Sequence, residues 1–349
     1  MKFEWITDWD TIWSKDFLNR WHRWMDSSDK THIFFNPDFC KVWVDTYKDI
    51  RTIKPLFCIA TDKNNNIIFL PLVIWEKDWK SAFEKVIIPI GYSDYDYNSP
   101  LIIGKDINFD LFWKQLIDSI FTEFKNKFDT LEFTGVQEKY ISHNKDWIID
   151  DICPIIELQS FNSYNSLLKS LKSKERGDIN RQTRRLKEFD NYEFKVYDKT
   201  EVEDAIKMLP KILHHHSLRW PNAYKAPNYH YNLLHNLLPL GFVHLSEIRI
   251  DNEAISWNLS FQYKNIYYFY MPTYNEKYKK YSPGKINMFL ALEDTISKGF
   301  SKFDMLKGAE NYKNKLPIHE NKVYKLILYN DSLLSKLKRQ LLNVKSKIK

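Results

Sequence analysis

Cysteine and glycine are scarce in these 349 residues, at three and eight, and no apolar run is long enough to cross a bilayer. Each shortage excludes a class of protein. Cys40, Cys58 and Cys153 are odd in number, widely spaced and free of any CxxC or Cys/His pattern, which argues against a disulfide framework or a zinc site. No metal is expected. The longest apolar stretch, "IIFLPLVIW" at 67–75, is broken by Pro71 and too short to span. The start "MKFEWITDWD" puts acids where a secretory signal needs a basic and then an apolar segment, so a cytoplasmic protein is expected. GxGxxG, Walker, GxSxG and HExxH patterns are all absent, which leaves hydride-transfer, nucleotide-hydrolysis, serine-esterase and zincin readings without support.

What is present is apolar and aromatic. At 44% hydrophobic and 16% aromatic residues, the chain can fill the cores of two or three globular domains. The net charge of +7 suits anionic small molecules or a membrane surface and does not demand nucleic acid.

The order of elements repeats. "LFCIATDKNNNIIFLPLVI" (56–74) reads as two strands around a polar turn at Asp62 to Asn66, and "FVHLSEIRIDNEAISWNLSFQY" (242–263) has the same plan with its turn at "DNE". After the first hairpin come a strand at 86–91, an amphipathic helix at 109–126 and a strand at 129–136. After the second come a strand at 265–275, a helix at 283–298 and a strand at 301–307. Four elements in register predict a duplicated α/β unit, with the boundary near 158. The expected organisation is 1–158, 159–330 and a basic amphipathic C-terminal helix at 331–349.

Two segments are strongly basic. Residues 163–191 read as a helical run rich in Lys and Arg, either a solvated face or a wall for a phosphorylated substrate. In the C-terminal helix, Leu334, Leu337, Leu341, Val344 and Ile348 form one stripe, expected to pack onto the body, with peripheral membrane association as the alternative.

In "YSPGKINMFLALEDTISKG" (281–299) a Pro-Gly pair opens a helix. Proline is tolerated in the first turn, and glycine permits close approach to the backbone. Free amides, the positive end of the helix dipole and Lys285 would meet an anion such as a phosphate there, although a plain turn and helix cap gives the same sequence.

Several of these motifs together resemble the acetyltransferase family known from the bacterial cellulose-synthesis protein CelD/BcsL, within the GNAT superfamily and close to FemAB-type transferases. The likeness lies in "LLKSLKSKERGDINRQTRRL", "LHHHSLRW" (213–220) and 278–316, through Tyr281, Pro283, Gly284, Gly299, Phe303, Asp304, Gly308, Tyr312 and Lys313. It is looser in "FFNPDFCKVW" and "IPIGYSDYDYNSPLI", where Ser93, Asp94 and Tyr95 match. The family's (Q/R)xxGxG/A loop is replaced by "YKKYSPGK".

The resemblance implies an α/β fold of tandem GNAT-like domains, each a mixed, mostly antiparallel sheet flanked by helices, with the N-terminal copy degenerate and on the acceptor side. It implies transfer of an acyl group, acetyl above all, from acetyl-CoA or another acyl-CoA to the amine of an amino sugar or sugar nucleotide for surface polysaccharide. The rivals are an aminoacyl-tRNA-dependent FemAB-type transferase, for which the basic helix would contact tRNA, and a non-catalytic scaffold in a glycan-assembly complex. The donor would lie in a wedge between the strands at 266–272 and 301–307. Ser282, Pro283, Gly284 and Lys285 would hold its phosphates, Lys313 would pair with a phosphate, and the backbone near Pro272 would supply an oxyanion donor.

An attacking amine must lose a proton, so Asp304, Glu310 and His216 are candidate bases, Asp304 being equally readable as a turn carboxylate. Tyr270, sharing a strand face with Tyr268, could protonate the leaving thiolate. His214, His215 and His216 point in three directions around a helix and cannot form one metal site. Arg219 shares a face with His216, and Trp220 is either a sugar platform or a buried anchor. Asp94 and Asp96, interleaved with Tyr92, Tyr95 and Tyr97, suit an aminated sugar or a rigid acidic loop. Tyr312 joins the substrate set through the resemblance.

Overall fold

The computed structural model describes residues 1–28, 30–92, 94–143, 146–221, 223 and 226–348, with side chains to 342. Ser93 and the side chains of Val344 and Ile348 lie outside the described residues. The chain divides into two units, Met1–Asp151 with Lys322–Lys349, and Ile152–Asn321.

In the first unit the order is β1 (Lys2–Ile6), α1 (Trp9–Ile12), α2 (Lys15–Ser27), α3 (Pro37–Tyr47), β2 (Thr52–Thr61), β3 (Ile67–Glu76), β4 (Lys85–Pro89), β5 (Leu101–Ile103), α4 (Phe109–Glu123) and β6 (Thr130–Gln137). Side-chain caps start the helices: Ser14, Asn36 and Asn108 each accept a first-turn amide. The second unit takes β7 (Ile148–Glu157), then α5 (Tyr164–Ser170), α6 (Ser173–Lys187), β8 (Glu193–Val196), α7 (Val202–Arg219), α8 (Tyr229–Leu237), β9 (Val243–Ile250), β10 (Glu253–Tyr263), β11 (Ile266–Tyr274), α9 (Pro283–Ser297) and β12 (Lys302–Asp304). β13 (His319–Tyr329) and α10 (Leu333–Ile348) return the chain to the first unit.

The strand orders correspond. The first unit runs β1-β2-β3-β4-β6-β13, with β5 on β3, and the second runs β8-β9-β10-β11-β12-β7. In both, the fourth and fifth strands are parallel and all other neighbours printed within the unit are antiparallel. The expected duplication is present, but the closing strands are exchanged along the sequence. β7, which follows β6, closes the second sheet, and β13, which follows β12, closes the first. The units therefore meet at Asp151/Ile152 inside a strand, and 322–330 belongs with the first unit instead of the second. Both hairpins form as expected. The second turns at Asp251 and Asn252, both in left-handed backbone at φ 49° and 65°, a conformation that Asp and Asn tolerate.

The first core is aromatic, with Trp21, Trp43, Trp113, Phe57 and Phe39 fully buried. The second packs α9 through Ile286, Met288, Phe289 and Leu292 onto Ile248, Ile255, Tyr267, Phe269 and Phe303 of the sheet. Burying one such side chain stabilises by roughly 2 kcal/mol. A polar layer runs through this interface. Ser246 donates to Asn287 Oδ1 at 2.9 Å, Asn258 donates to Tyr267 Oη at 2.9 Å, and Tyr267 Oη lies 3.1 Å from His244 Nδ1. These bonds hold α9 on the sheet from within the dry interior, while His244 Nε2, without a hydrogen-bond partner, lies 3.5 Å from the Asp294 carboxylate.

The C-terminal helix differs from expectation. Its polar side, Ser335 and Lys338, faces the body and bonds Asp129, whereas Leu334, Leu337 and Leu341 are exposed. Among the described residues no helix is long and apolar enough to cross a membrane.

Candidate functional site

β11 and β12 pair only over Ile266↔Lys302, Tyr267↔Phe303 and Tyr268↔Asp304. Beyond Asp304 the chain stays with β7, where Met305 N–H donates to the Pro154 carbonyl at 2.8 Å and Gly308 N–H to the Ile152 carbonyl at 3.1 Å. β11 meanwhile continues to Tyr274 along β10. The two strands part, and a wedge opens between them. The strand expected at 301–307 thus ends at 304 because its continuation follows a different neighbour.

At the opening the β10–β11 ladder skips. Leu259 faces Met271 and Phe261 faces Tyr268, so Phe269 and Tyr270 together oppose Ser260 in a bulge. A bulge re-aims backbone groups. The disturbance expected at Pro272 is therefore two residues earlier, since Pro272 sits in register opposite Asn258.

A cavity of about 220 Å³ fills the wedge, lined by Phe269, Pro272, Thr273 and Tyr274 of β11, Gly284, Lys285, Met288 and Phe289 of α9, Leu171, Glu175 and Ile179 before and within α6, Arg219 at the end of α7, and Tyr312, Lys315 and Leu316. α9 meets it end-on. Its cap, Ser282, is left-handed at φ 52° and makes no side-chain cap, and Pro283 follows at the first position. First-turn amides and the positive dipole end are thereby presented without a capping oxygen. Gly284 also serves a packing need, because a Cβ there would lie 2.8 Å from Cδ1 of Tyr274.

Lys285 is not a free cation. Its ammonium lies 3.0 Å from Glu175 and 3.0 Å from Asp178, and Glu175 also pairs with Lys315 at 3.0 Å. Lys315 and then Lys285 hold the Glu175 carboxyl below its ordinary range. Lys313 is buried and far from the role expected of it. It donates to the carbonyls of Met305 at 2.9 Å, Lys307 at 3.3 Å and Gly308 at 3.0 Å, and pairs with Glu310 at 2.9 Å. All three ammonium protons are used within the loop after β12, so Lys313 moulds that loop and has none left for a phosphate.

Asp304 is buried, and its Oδ1 accepts the Leu306 N–H at 2.9 Å, the turn function weighed against catalysis. Glu310 has its carboxylate against Gly308 and Lys313. Tyr312 and Arg219 line the cavity, and the Arg219 guanidinium lies over the Tyr274 ring at 5.1 Å. Trp220 is 52% exposed, so it is not the buried anchor.

Tyr270, on the bulge, has its hydroxyl 3.3 Å from Nε2 of His230, which α8 delivers from its apolar side. Nothing in the sequence singles out His230, one of two histidines in α8. Burial, then the charge of Arg219, moves His216 down to about 4; burial, then His216, moves His230 down to about 4. His230 thus has Tyr270 within hydrogen-bond reach and His216 near enough to act on its charge, while His215 stacks on Trp257 at 5.6 Å. No three His, Cys, Asp or Glu side chains among the described residues are arranged to hold a metal ion.

In the first unit the Asp94–Asp96 loop is built into the fold. Asp94 Oδ2 accepts from Trp43 Nε1 at 2.9 Å and from the Tyr47 hydroxyl at 2.7 Å. Tyr95 is buried and donates to the Phe39 carbonyl at 2.6 Å, and the Asp96 carbonyl packs where a Cβ on left-handed Gly135 would be. This loop is a rigid acidic turn and not an open row of carboxylates.

The buried histidines give a stability signature. His32, in the first unit, is moved to about 3 by burial, and His230 to about 4. An unfolded histidine titrates near 6.5, so below that pH the unfolded chain takes up protons that the folded one refuses. Stability is expected to be flat above pH 7 and to fall as pH drops from 6.5, by about 2 kcal/mol for each of these two residues at pH 5. Thermal unfolding from pH 8 to 5 measures it, and His230→Gln should flatten the slope.

The family model described as "Acetyltransferase (GNAT) domain" matches residues 173–314. That stretch, about two-fifths of the chain, lies wholly within the second unit. The match spans α6 to the loop beyond β12 and so takes in the wedge, its cavity and the uncapped helix start. In fold the chain is similar to FemX, over 97% of its own length and 100% of that chain, with a TM-score of 0.61 at 10% identity. It is similar also to a conserved protein of Bacteroides thetaiotaomicron, over 89% of this chain and 97% of that one, with a TM-score of 0.57 at 12% identity. At such identities the likeness is one of fold. No curated protein matches the chain. The fold is a tandem of GNAT-like halves, the second of which contains the stretch that matches the acetyltransferase model.

Proposed function

We propose that this protein is a cytoplasmic N-acyltransferase that moves an acyl group, acetyl in the simplest case, from acyl-CoA to the amine of an amino sugar or sugar nucleotide destined for surface polysaccharide. The observation that carries the reading is the wedge, where β11 and β12 part after three paired residues and a cavity connects the bulge with the start of α9. The diphosphate of the donor would meet the first-turn amides of α9. Backbone re-aimed at the Phe269–Tyr270 bulge would face the thioester oxygen, where charge develops as the amine lone pair attacks the carbonyl carbon. As the C–N bond forms and the C–S bond breaks, the thiolate takes a proton, for which the Tyr270 hydroxyl beside His230 is the available donor. The ammonium proton must leave before attack, and it leaves to water, because histidines moved down to about 4 are too weak to take it from an ammonium.

The clamp on Lys285 sets a directional test. Glu175 stands between two lysines at the place where a diphosphate would bind, so Glu175→Ala frees Lys315, leaves Lys285 with Asp178 alone and should tighten acetyl-CoA binding about threefold, while Lys285→Ala weakens it by a similar factor. Thermal shift and calorimetric titration with acyl-CoA, followed by mass spectrometry of amino-sugar nucleotides incubated with it, decide the reading. No rise in melting temperature with any acyl-CoA would refute the donor.

One observation favours an aminoacyl-tRNA donor instead. The same carboxylates close the diphosphate position, and α6 presents Arg181, Arg184 and Arg185 beyond them. Steeply salt-dependent tRNA binding, without any response to acyl-CoA, would select that donor.

A further inference from the structure

α10 is fastened to the first unit by its polar side and turns its leucines outward. The start is capped, with Ser335 N–H donating to Ser332 Oγ at 3.3 Å. Ser335 then gives its hydroxyl to Asp129 Oδ1 at 2.6 Å. Lys338 reaches Asp129 Oδ2 at 2.7 Å and the Phe83 carbonyl at 3.0 Å, and Arg339 donates to the Asn330 carbonyl at 3.1 Å while lying over the Tyr329 ring. An amphipathic helix ordinarily buries its apolar stripe against the core. Here Leu333, Leu334, Leu337 and Leu341 are 76%, 63%, 49% and 57% exposed. The turn whose carbonyl Lys338 holds exposes two rings next to the helix: Trp79 is 64% and Phe83 55% exposed, on backbone that is left-handed at Ala82 and Phe83 with φ 54° and 51°.

Charge indicates what covers these side chains. From 332 to 349 the sequence holds Lys336, Lys338, Arg339, Lys345, Lys347 and Lys349, six basic residues with no acid. A second copy of the chain would bring the same positive sign against itself. Leucines, a tryptophan and a phenylalanine bordered by lysines match the boundary between acyl chains and headgroups, where apolar side chains enter and cations stay with phosphates. We propose that α10 and the Trp79–Phe83 turn form a docking surface for an anionic lipid bilayer, entered by Leu334, Leu337 and Leu341.

Flotation of the full-length protein with vesicles tests this, comparing phosphatidylcholine alone with phosphatidylcholine containing about one-third phosphatidylglycerol. The protein should float with the anionic vesicles, lose most of that binding in molar salt, and bind the neutral vesicles at least about tenfold less. The triple variant L334D/L337D/L341D should lose about tenfold or more of the partitioning with an unchanged melting temperature, since these side chains are about half or more exposed. Trp79→Ser with Phe83→Ser should lose roughly threefold. Absence of flotation, or equal flotation by the leucine variant, would overturn the proposal. So would a wild-type dimer in sedimentation that the leucine variant dissolves, because the face would then be covered by a second copy. None of these readouts depends on acyl transfer.

Discussion

Gly284→Val is expected to lower acyl transfer by about two orders of magnitude or more in kcat/KM and to remove the stabilisation given by acetyl-CoA. The helical backbone at 284 accepts an L-residue, so the loss does not come from the main chain. It comes from space. A Cβ would stand 2.8 Å from the Tyr274 ring, and valine adds two methyls beyond it in a cavity of about 220 Å³ that the first turn of α9 shares with β11. Either the methyls or the displaced ring would cover the amides that have no cap. Acetyl-CoA at a hundred times its Kd should stabilise the wild type by about 2.7 kcal/mol, a rise of roughly 5–10 °C for a unit of this size. The variant should show almost none of that rise while its unliganded melting temperature falls only a few degrees. A variant that still responds to acetyl-CoA and turns over would mean that the donor lies elsewhere.

Lys313→Met should act on the fold. The buried ammonium satisfies three carbonyls and one carboxylate, and methionine replaces the stem without the donors. Leaving those groups unpaired costs about 3–5 kcal/mol, or roughly 10 °C in the second unit's melting temperature. Lys313→Arg should not restore it, since a planar fork cannot aim three protons at carbonyls grouped around one nitrogen. A phosphate-binding lysine would behave otherwise, raising KM with the melting temperature intact. Calorimetry of the three proteins without ligand separates the roles, and it shows why Lys313→Ala cannot serve as a test of catalysis by itself.

Much of the fold was legible because its signals are local. Asp62, Asn66, Asp251 and Asn252 mark hairpin turns, and Pro283–Gly284 marks a helix start, each within a few residues. The partners of the site residues are not local. Glu175 meets Lys285 from 110 residues away, and nothing in "SKERGD" distinguishes a carboxylate that clamps a lysine from one on a solvated face. The bulge at Phe269 and Tyr270 depends on where β12 leaves, which no periodicity encodes. His230 reads as one polar residue in a leucine-rich helix. Spacing gave the stripe on α10 but not its direction, because the anchor, Asp129, is 206 residues before Ser335. The resemblance placed the wedge and misassigned Lys313, whose burial follows from the loop it holds.

The exchanged closing strands bear on synthesis. The sixth strand of the first sheet begins at His319, so a ribosome must build past the entire second unit before the N-terminal half can seal its edge at β6. Until then that half waits with a row of unmet amides and carbonyls, exposed to mispairing and in need of protection. The C-terminal half already holds its last strand, β7, when its own elements emerge, and can finish first. Vectorial folding here runs against the direction of translation.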